Sequence, residues 1–484
     1  MPALHWIGKD KVVKHHHEVP FKILQREYVH TAPEGSPVNS IGNRIIHGDN
    51  LEALKALLPE YEGRVKCIYI DPPYNTGNEG WVYNDNVNEP RIQKWLHQVV
   101  GKEGEDLTRH DKWLCMMYPR LKLLHRLLAN DGVIFVSIDE NEHRYFELLI
   151  EEIFGSVNKI ETFIWKKSYG GGAKSKHIVN LHEFIVCFAK NKDSVGALDL
   201  PPDEKALKYY KYKDEKFAER GPYRFQPLAT NSMDERPNLR YPITFEGEDI
   251  WPEKQWQWSR DRVETAQNNN ELAFTQKSGK WTVSYKQYLK STNGNERRSK
   301  AYSIIDGIYT QQGTNEIKAM FGDGKIFSFP KPSYLITYLL QLVTDQNALV
   351  LDSFGGSGTT AHAVLKLNAQ DGGNRKFILT EMMDYAETIT AERVRRVMGS
   401  YGEEAKAVAG LGGSFEYYTI GAALFDEDGN LNEAVPVDEI RRYVAYSEGI
   451  ECRSDRQTLL GISSDAAYFF HYEPDQAQRW TTNI

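Results

Sequence analysis

Leu351-Asp352-Ser353-Phe354-Gly355-Gly356-Ser357-Gly358-Thr359-Thr360 is the stretch that decides the fold of this chain. The apolar run Ala348–Leu351 (ALVL) leads into it, and a helical pattern, Thr360–Leu367, leads out. Strand, glycine turn and helix in that order begin a βαβ unit. The glycines let the backbone turn tightly and approach a ligand closely, and the helix N-terminus adds exposed N–H donors. The following strand, Phe377–Leu379, runs on through Thr380 to Glu381, an acid placed to accept hydrogen bonds from both hydroxyls of a ribose. The gap from Gly355 to Glu381 exceeds the usual ~20 residues, and Asp371-Gly372-Gly373-Asn374 reads as a loop that takes up the excess. The Gly-Lys-Ser/Thr ending of a phosphate loop is missing, which disfavours ATP, and the GxGxxG dinucleotide pattern fits poorly. By itself the loop is equally consistent with an ordinary tight turn.

Further apolar runs read as buried parallel strands: Arg44–His47, Val65–Ile70, Val133–Ile138 and Phe184–Phe188. Helical patterns lie between several of them. One starts at an Asn50 cap and repeats leucines through Leu58; another, Trp113–Leu128, stops at the turn signal Asn130-Asp131-Gly132. Alternating strands and helices predict a doubly wound, Rossmann-like α/β sheet. Between about Asn191 and Lys325 the alternation fails. That stretch is rich in tyrosine and tryptophan and reads as an inserted domain of mixed α and β structure, most of its aromatics being core.

A second loop, Asp71-Pro72-Pro73-Tyr74-Asn75-Thr76-Gly77, follows the strand VKCIYI directly. Two prolines give a stiff turn without N–H groups of its own. The Pro72 carbonyl and the Asp71 carboxylate are then convergent acceptors, suited to an amine with two protons, and Tyr74 offers a flat face for a base. Such groups could grip an NH2-bearing ring held out of a duplex. If ALVL and VKCIYI are neighbours, both loops meet at the carboxyl ends of the strands, where ligands of such sheets sit.

Composition narrows the class. Cys67, Cys115, Cys187 and Cys452 are scattered, which indicates neither a zinc site nor a disulfide framework and suits a reducing cytoplasm. No metal is expected; Lys14-His15-His16-His17 reads as a solvated tail, and His182-Glu183 is not HExxH. Neither a signal peptide nor an 18-residue apolar run is present, so a soluble cytoplasmic protein is the expectation. The net charge of −8 argues against nucleic acid until it is located. Residues 421–484 hold 12 acids and 5 bases, whereas residues 201–330 hold 21 bases and 18 acids. The local field, not the total, attracts a phosphate backbone.

The two loops together resemble the β-group amino-methyltransferases of DNA, in which the DPPY loop precedes the cofactor loop. Gly48-Asp49-Asn50-Leu51, Met117–Leu121, Ser137-Ile138-Asp139, Ile153-Phe154-Gly155, His182-Glu183-Phe184 and Phe329-Pro330-Lys331-Pro332 extend the likeness to the Mod subunit of type III restriction-modification systems, over roughly Arg44 to Tyr418. The resemblance implies S-adenosylmethionine as cofactor, bound by Asp352, Phe354, Gly355, Gly356, Ser357, Gly358 and Thr359, with Glu381 on the ribose. It implies Lys331 and Pro332 as the cofactor's far wall and Asp49 near its adenine. Asp71, Pro72, Pro73 and Tyr74 would hold the flipped adenine for transfer to its N6 amine. Serine in place of Asp71 is more typical of N4-cytosine enzymes, which favours adenine.

The expected domains are an N-terminal extension (1–43), a catalytic half (44–190), a target-recognition insertion (191–325), a cofactor half (326–420) and a small acidic module (421–484). Arg260, Arg262, Arg297 and Arg298 are the candidates to meet duplex DNA. The acidic C-terminus is shorter than in longer Mod subunits, which leaves a homodimer and a helicase-nuclease partner open. An RNA methylase and a DNA-binding subunit with a dead site are the rival readings.

Overall fold

The computed structural model describes residues 4–37, 40–76, 94, 109–170, 177–202, 204–232, 234–402, 407–453 and 458–472. They divide into two compact units, one of Met1–Leu198 with Tyr302–Ile484 and one of Asp199–Ala301.

The first unit is built on a ten-stranded sheet. Its strands, in chain order, are β1 (Lys22–Thr31), β2 (Asn43–His47), β3 (Val65–Ile70), β4 (Leu128–Ile138), β5 (Lys159–Lys166), β6 (His182–Ala189), β7 (Ile304–Ile305), β8 (Leu349–Asp352), β9 (Lys376–Glu381) and β10 (Ser414–Ala423). Across the sheet they run β1-β10-β2-β9-β8-β3-β4-β6-β5-β7. The pairs from β10 to β4 are parallel, which explains the unbroken apolar runs: a strand covered on both faces has no polar side.

The main helices of this unit are α1 (Asn50–Tyr61), α2 (Arg109–Leu127), α3 (His143–Phe154), α4 (Thr310–Phe321), α5 (Ser333–Val343), α6 (Thr359–Asp371), α7 (Glu392–Gly399) and α8 (Val437–Ser447). From β3 the chain passes through α2 to β4 on one side; from β8 it passes through α6 to β9 on the other. Right-handed crossovers in opposite directions put α2 and α6 on opposite faces. The core lies on the central strands: Ile68, Ile70, Ile134, Val136, Leu351 and Ile378 are buried together with Leu54, Trp113, Leu121 and Phe146 from the helices.

Several expectations are corrected. Phe184–Phe188 belongs to β6, which is antiparallel to both β4 and β5; an apolar run shows burial on both faces but not strand direction. Asn130-Asp131-Gly132 makes no separate turn, because α2 ends at Leu127 and β4 starts at Leu128 and carries the triplet. A Cβ on Gly132 would stand 2.8 Å from the Val65 carbonyl, so this glycine is there for close packing. The cap of α1 is Asp49, whose Oδ1 accepts from the Leu51 N–H at 2.8 Å, and Asn50 is the first helical residue.

The borders of the insertion also differ from 191–325. The second unit is Asp199–Ala301, and β7 and α4, inside the expected insertion, belong to the first unit; β7 pairs with β5. Within the N-terminal extension, β1 adds to the main sheet as an edge strand antiparallel to β10. The second unit has its own core, with Leu228, Tyr241, Trp256, Val263 and Val283 buried around a three-stranded antiparallel sheet. Among the described residues no helix is long and apolar enough to cross a membrane, and no cluster of metal-ligating side chains occurs.

Candidate active site

β8 and β3 are adjacent and parallel, with Val350 opposite Cys67 and Leu351 opposite Ile68. Because the chain leaves their carboxyl ends in opposite directions, the crevice there is the switch point of the sheet. A cavity of about 630 Å³ opens at that point. Of the residues singled out in the sequence, Asp71, Pro72, Tyr74, Lys331, Asp352, Phe354, Gly355, Gly356, Ser357 and Thr359 line it. The two loops, some 280 residues apart in the chain, thus face one space.

The glycine wall is held from behind. Asp352 braces it, taking the Phe354 N–H on Oδ1 at 3.0 Å and the Thr360 hydroxyl on Oδ2 at 2.5 Å. Gly356 N–H donates to Glu381 Oε2 at 2.7 Å, and Met383 N–H to Glu381 Oε1 at 2.9 Å. Burial pushes both acids up to about 7, against the pull of those hydrogen bonds. Gly356 and Gly358 have φ of +51° and +78°, and a Cβ on Gly358 would stand 2.9 Å from the Thr390 carbonyl. Buried Arg393 was not singled out in the sequence. Its Nη1 donates to Ser357 Oγ at 2.9 Å and Thr359 Oγ1 at 2.8 Å, and its Nη2 to Glu316 Oε2 at 2.9 Å. This clamp ties α7 and α4 to the first turn of α6.

The opposite wall is an ionic cluster. Lys331 Nζ donates to Asp71 Oδ1 and Oδ2 at 2.9 and 3.0 Å, and to the Tyr74 hydroxyl at 2.8 Å. The Tyr74 hydroxyl has one proton to give and stands 2.8 Å from Asp71 Oδ1 and 3.2 Å from Glu183 Oε2, so it donates to one of these carboxylates at a time. Lys167 Nζ donates to Glu183 Oε1 at 2.9 Å. Burial alone would lower the Lys331 ammonium, but Asp71 and Glu183 reverse that and hold it above the ordinary lysine value. Burial raises Asp71 with Lys331 opposing; Glu183, although buried, is held below the usual carboxylate range by Lys331 and Lys167. Lys167 is a site residue that the sequence did not mark, and Glu183, though in the block His182-Glu183-Phe184, carried no site role there, since nothing local marks a glutamate on an apolar strand as the partner of a lysine about 150 residues away.

The remaining candidates lie elsewhere. Pro73 points its carbonyl away, accepting from Trp113 Nε1 at 2.6 Å, which fixes the loop to α2. Asn75 adopts a left-handed backbone (φ +58°) and bonds Glu142 Oε1 at 2.5 Å and the Arg109 carbonyl at 3.0 Å. Gly77 lies outside the described residues. Asp49, Pro332, Glu381 and Gly358 are not among the residues that line the cavity; Asp49 caps α1 and its Oδ2 lies 3.5 Å from Arg120 Nη2. In the second unit, exposed Arg260 and Arg262 stand 5.1 Å over the Tyr241 ring and 4.0 Å over the Trp258 ring. Arg297 is instead engaged with its own fold, donating to the Tyr288 carbonyl at 2.7 Å, and Arg298 donates to the Asp199 carbonyl at 2.5 Å.

A sheet wound in this order, with a glycine loop and a proline-rich acidic loop across its switch point, is that of the Rossmann-like methyltransferases. The chain belongs to the N6/N4 DNA methylase family, which residues 65–392 match. It is 32% identical over 415 residues to the type III restriction-modification enzyme EcoPI Mod subunit of Escherichia phage P1, covering 78% of this chain and 62% of that one. It is 32% identical over 372 residues to the type II methyltransferase M.KpnI of Klebsiella pneumoniae, covering 72% of this chain and 82% of that one. The chain therefore spans about three fifths of the phage subunit's length. Among solved structures, the cytosine-N4-specific PvuII DNA methyltransferase is 14% identical with a TM-score of 0.37, covering 74% of this chain and 89% of that one.

Proposed function

We propose that the chain transfers a methyl group from S-adenosylmethionine to the N6 amine of adenine in duplex DNA. It would act in the cytoplasm, as the modification subunit of a type III-like restriction-modification system or as a stand-alone methylase. The observation that carries this reading is the register Leu351 opposite Ile68, which brings the cofactor loop and the amine-gripping loop to one cavity.

The residues present fit the cofactor. A cavity of about 630 Å³ is of the size that encloses a small organic ligand. Gly355 and Gly356 give it bare backbone on one side, and Phe354 and Asp352 give an apolar face and a carboxylate. Asp352, Phe354, Gly355, Gly356, Ser357 and Thr359 would line the cofactor, with Gly358 and Glu381 bracing them. The cofactor supplies an electrophilic methyl group on a sulfonium.

The protein's part is to prepare the amine. An adenine N6 lone pair is delocalised into the ring and is a weak nucleophile. Hydrogen bonds from N6–H to Asp71 and the Pro72 carbonyl favour a more tetrahedral nitrogen with higher electron density. Among the described residues no hydrogen bond engages the Pro72 carbonyl, while Asp71 is paired with Lys331. Tyr74, held through its hydroxyl, lines the cavity and would set its ring against the base. Positioning and fixed acceptors supply most of the acceleration.

The second unit, Asp199–Ala301, would read the target, with Arg260 and Arg262 at the phosphates. A homodimer and a helicase-nuclease partner belong to the type III version of this reading. Methylation-aware sequencing of DNA from cells expressing this chain tests the whole: N6-methyladenine within one short motif is expected. N4-methylcytosine, or cofactor binding with no methylated base, would replace it with the cytosine or the dead-site reading.

A further inference from the structure

Glu183 lines the same cavity as Asp71 and has no part in the steps above. It is buried, and its two oxygens have different neighbours. Oε1 is anchored by Lys167 Nζ at 2.9 Å, while Oε2 lies 3.2 Å from the Tyr74 hydroxyl oxygen and 3.4 Å from Lys331 Nζ. Lys331 meanwhile holds both oxygens of Asp71. An arriving amine therefore meets an acceptor that already has an ammonium on it. A buried ammonium is not given up without a new partner, because a lone charge in a low-dielectric pocket is costly.

We propose that Glu183 is a positioning residue that receives the Lys331 ammonium when an amine takes Asp71, so that one ammonium alternates between two carboxylates. This rests on the reading of the chain as an amino-methyltransferase. The move is short, since Glu183 Oε2 is only slightly farther from Nζ than the Asp71 oxygens are. The Lys331 backbone need not follow: its carbonyl accepts from Thr359 Oγ1 at 3.2 Å. The ammonium also lies 4.8 Å over the Tyr74 ring, a face that attracts a cation on either carboxylate. Lys331 and Lys167 together hold Glu183 ionised, and the hydrogen bond from Lys167 to Oε1 keeps it in place for the exchange.

The test is incorporation of tritiated methyl groups from S-adenosylmethionine into genomic DNA of a methylase-free bacterium. The wild-type chain is compared with Glu183→Gln, Lys331→Met and the double variant. Glu183→Gln is expected to lower kcat at least tenfold with the KM for DNA within threefold, because Lys331 then stays on Asp71. In the Lys331→Met background the same substitution is expected to change the rate less than twofold, since no ammonium needs receiving. The proposal falls if Glu183→Gln stays within twofold of wild type, if its loss is the same with and without Lys331, or if Lys331→Met binds cofactor but is inactive. A wild-type chain that incorporates no label removes the methyltransferase reading and the proposal together. Cofactor binding by calorimetry reports folding. Should Glu183→Gln not bind cofactor, Glu183→Asp decides: a rate within fivefold of wild type supports the exchange, and a lost rate with cofactor bound overturns it.

Discussion

Leu351 and Ile68 are register partners on adjacent parallel strands, so the two loops start within three residues of the same level of the sheet. A slip of one residue would turn the slipped strand's side chains to the opposite face and part Asp71 from Asp352. On this register Asp71→Ala is expected to abolish methyl transfer, by about 10²–10³-fold or more, while cofactor still binds, since the lost group faces the amine and not the glycine loop. Tritium-methyl incorporation beside calorimetric cofactor binding checks it. Unchanged turnover would refute the role given to Asp71.

Gly358 tests the other wall. Its φ is +78°, and a Cβ would stand 2.9 Å from a backbone oxygen that cannot swing aside, the Thr390 carbonyl. Gly358→Ala should cost about 1–3 kcal/mol of stability from strain and weaken cofactor binding as the loop shifts. Thermal melting with and without S-adenosylmethionine reads both. A melting temperature equal to that of wild type would mean that the loop tolerates the methyl.

How far the sequence could be read follows from what each residue type encodes. Glycines in a strand-to-helix turn and prolines after an apolar strand are local signals, and the regions around Gly355 and Asp71 were legible for that reason. Direction is not local, so Phe184–Phe188 looked parallel although it runs antiparallel to β4. The strand β5, Lys159–Lys166, sets buried Phe163 and Trp165 among exposed Glu161 and Ile164, carries charges at both ends, and lacks the apolar run that marked its neighbours. The partners of the site were the least visible. Arg393 reaches Ser357 and Thr359 from α7, and Lys331 meets Asp71 and Glu183 across long stretches of chain. Only folding shows that these charges are buried and paired.

Asp352 gives a pH signature. Its carboxyl is raised from 3.8 to about 7 by burial, opposed by the Thr360 hydroxyl and Phe354 N–H. The folded state thus binds this proton more tightly than the unfolded one. The contribution to stability is intact below about pH 4 and is lost as pH rises towards 7, by about 4 kcal/mol at the outside. Asp352→Asn removes the titration and keeps the geometry: its oxygen can take the Phe354 N–H and its NH2 can donate to Thr360 Oγ1. Without cofactor, the variant's melting temperature is expected to gain on wild type as pH rises from 4 to 7, then level off. A difference independent of pH would show that Asp352 does not titrate in this range.

The arginines of the second unit separate recognition from folding. Arg262 is exposed and stands over Trp258, whereas Arg297 donates to the carbonyl of Tyr288, the last residue of a strand of the same unit. Removing a phosphate contact weakens binding at low salt and makes it less salt-dependent, with slope reduced by about 1 per contact. Arg262→Ala is therefore expected to leave the melting temperature nearly unchanged and to raise the KM for DNA with a shallower dependence on salt. Arg297→Ala is expected to do the reverse, losing about 1–2 kcal/mol of stability with the salt slope intact. Fluorescence anisotropy with labelled duplex at several salt concentrations, beside melting curves, distinguishes the two. An Arg262→Ala chain with the wild-type salt slope would take that residue out of the DNA surface.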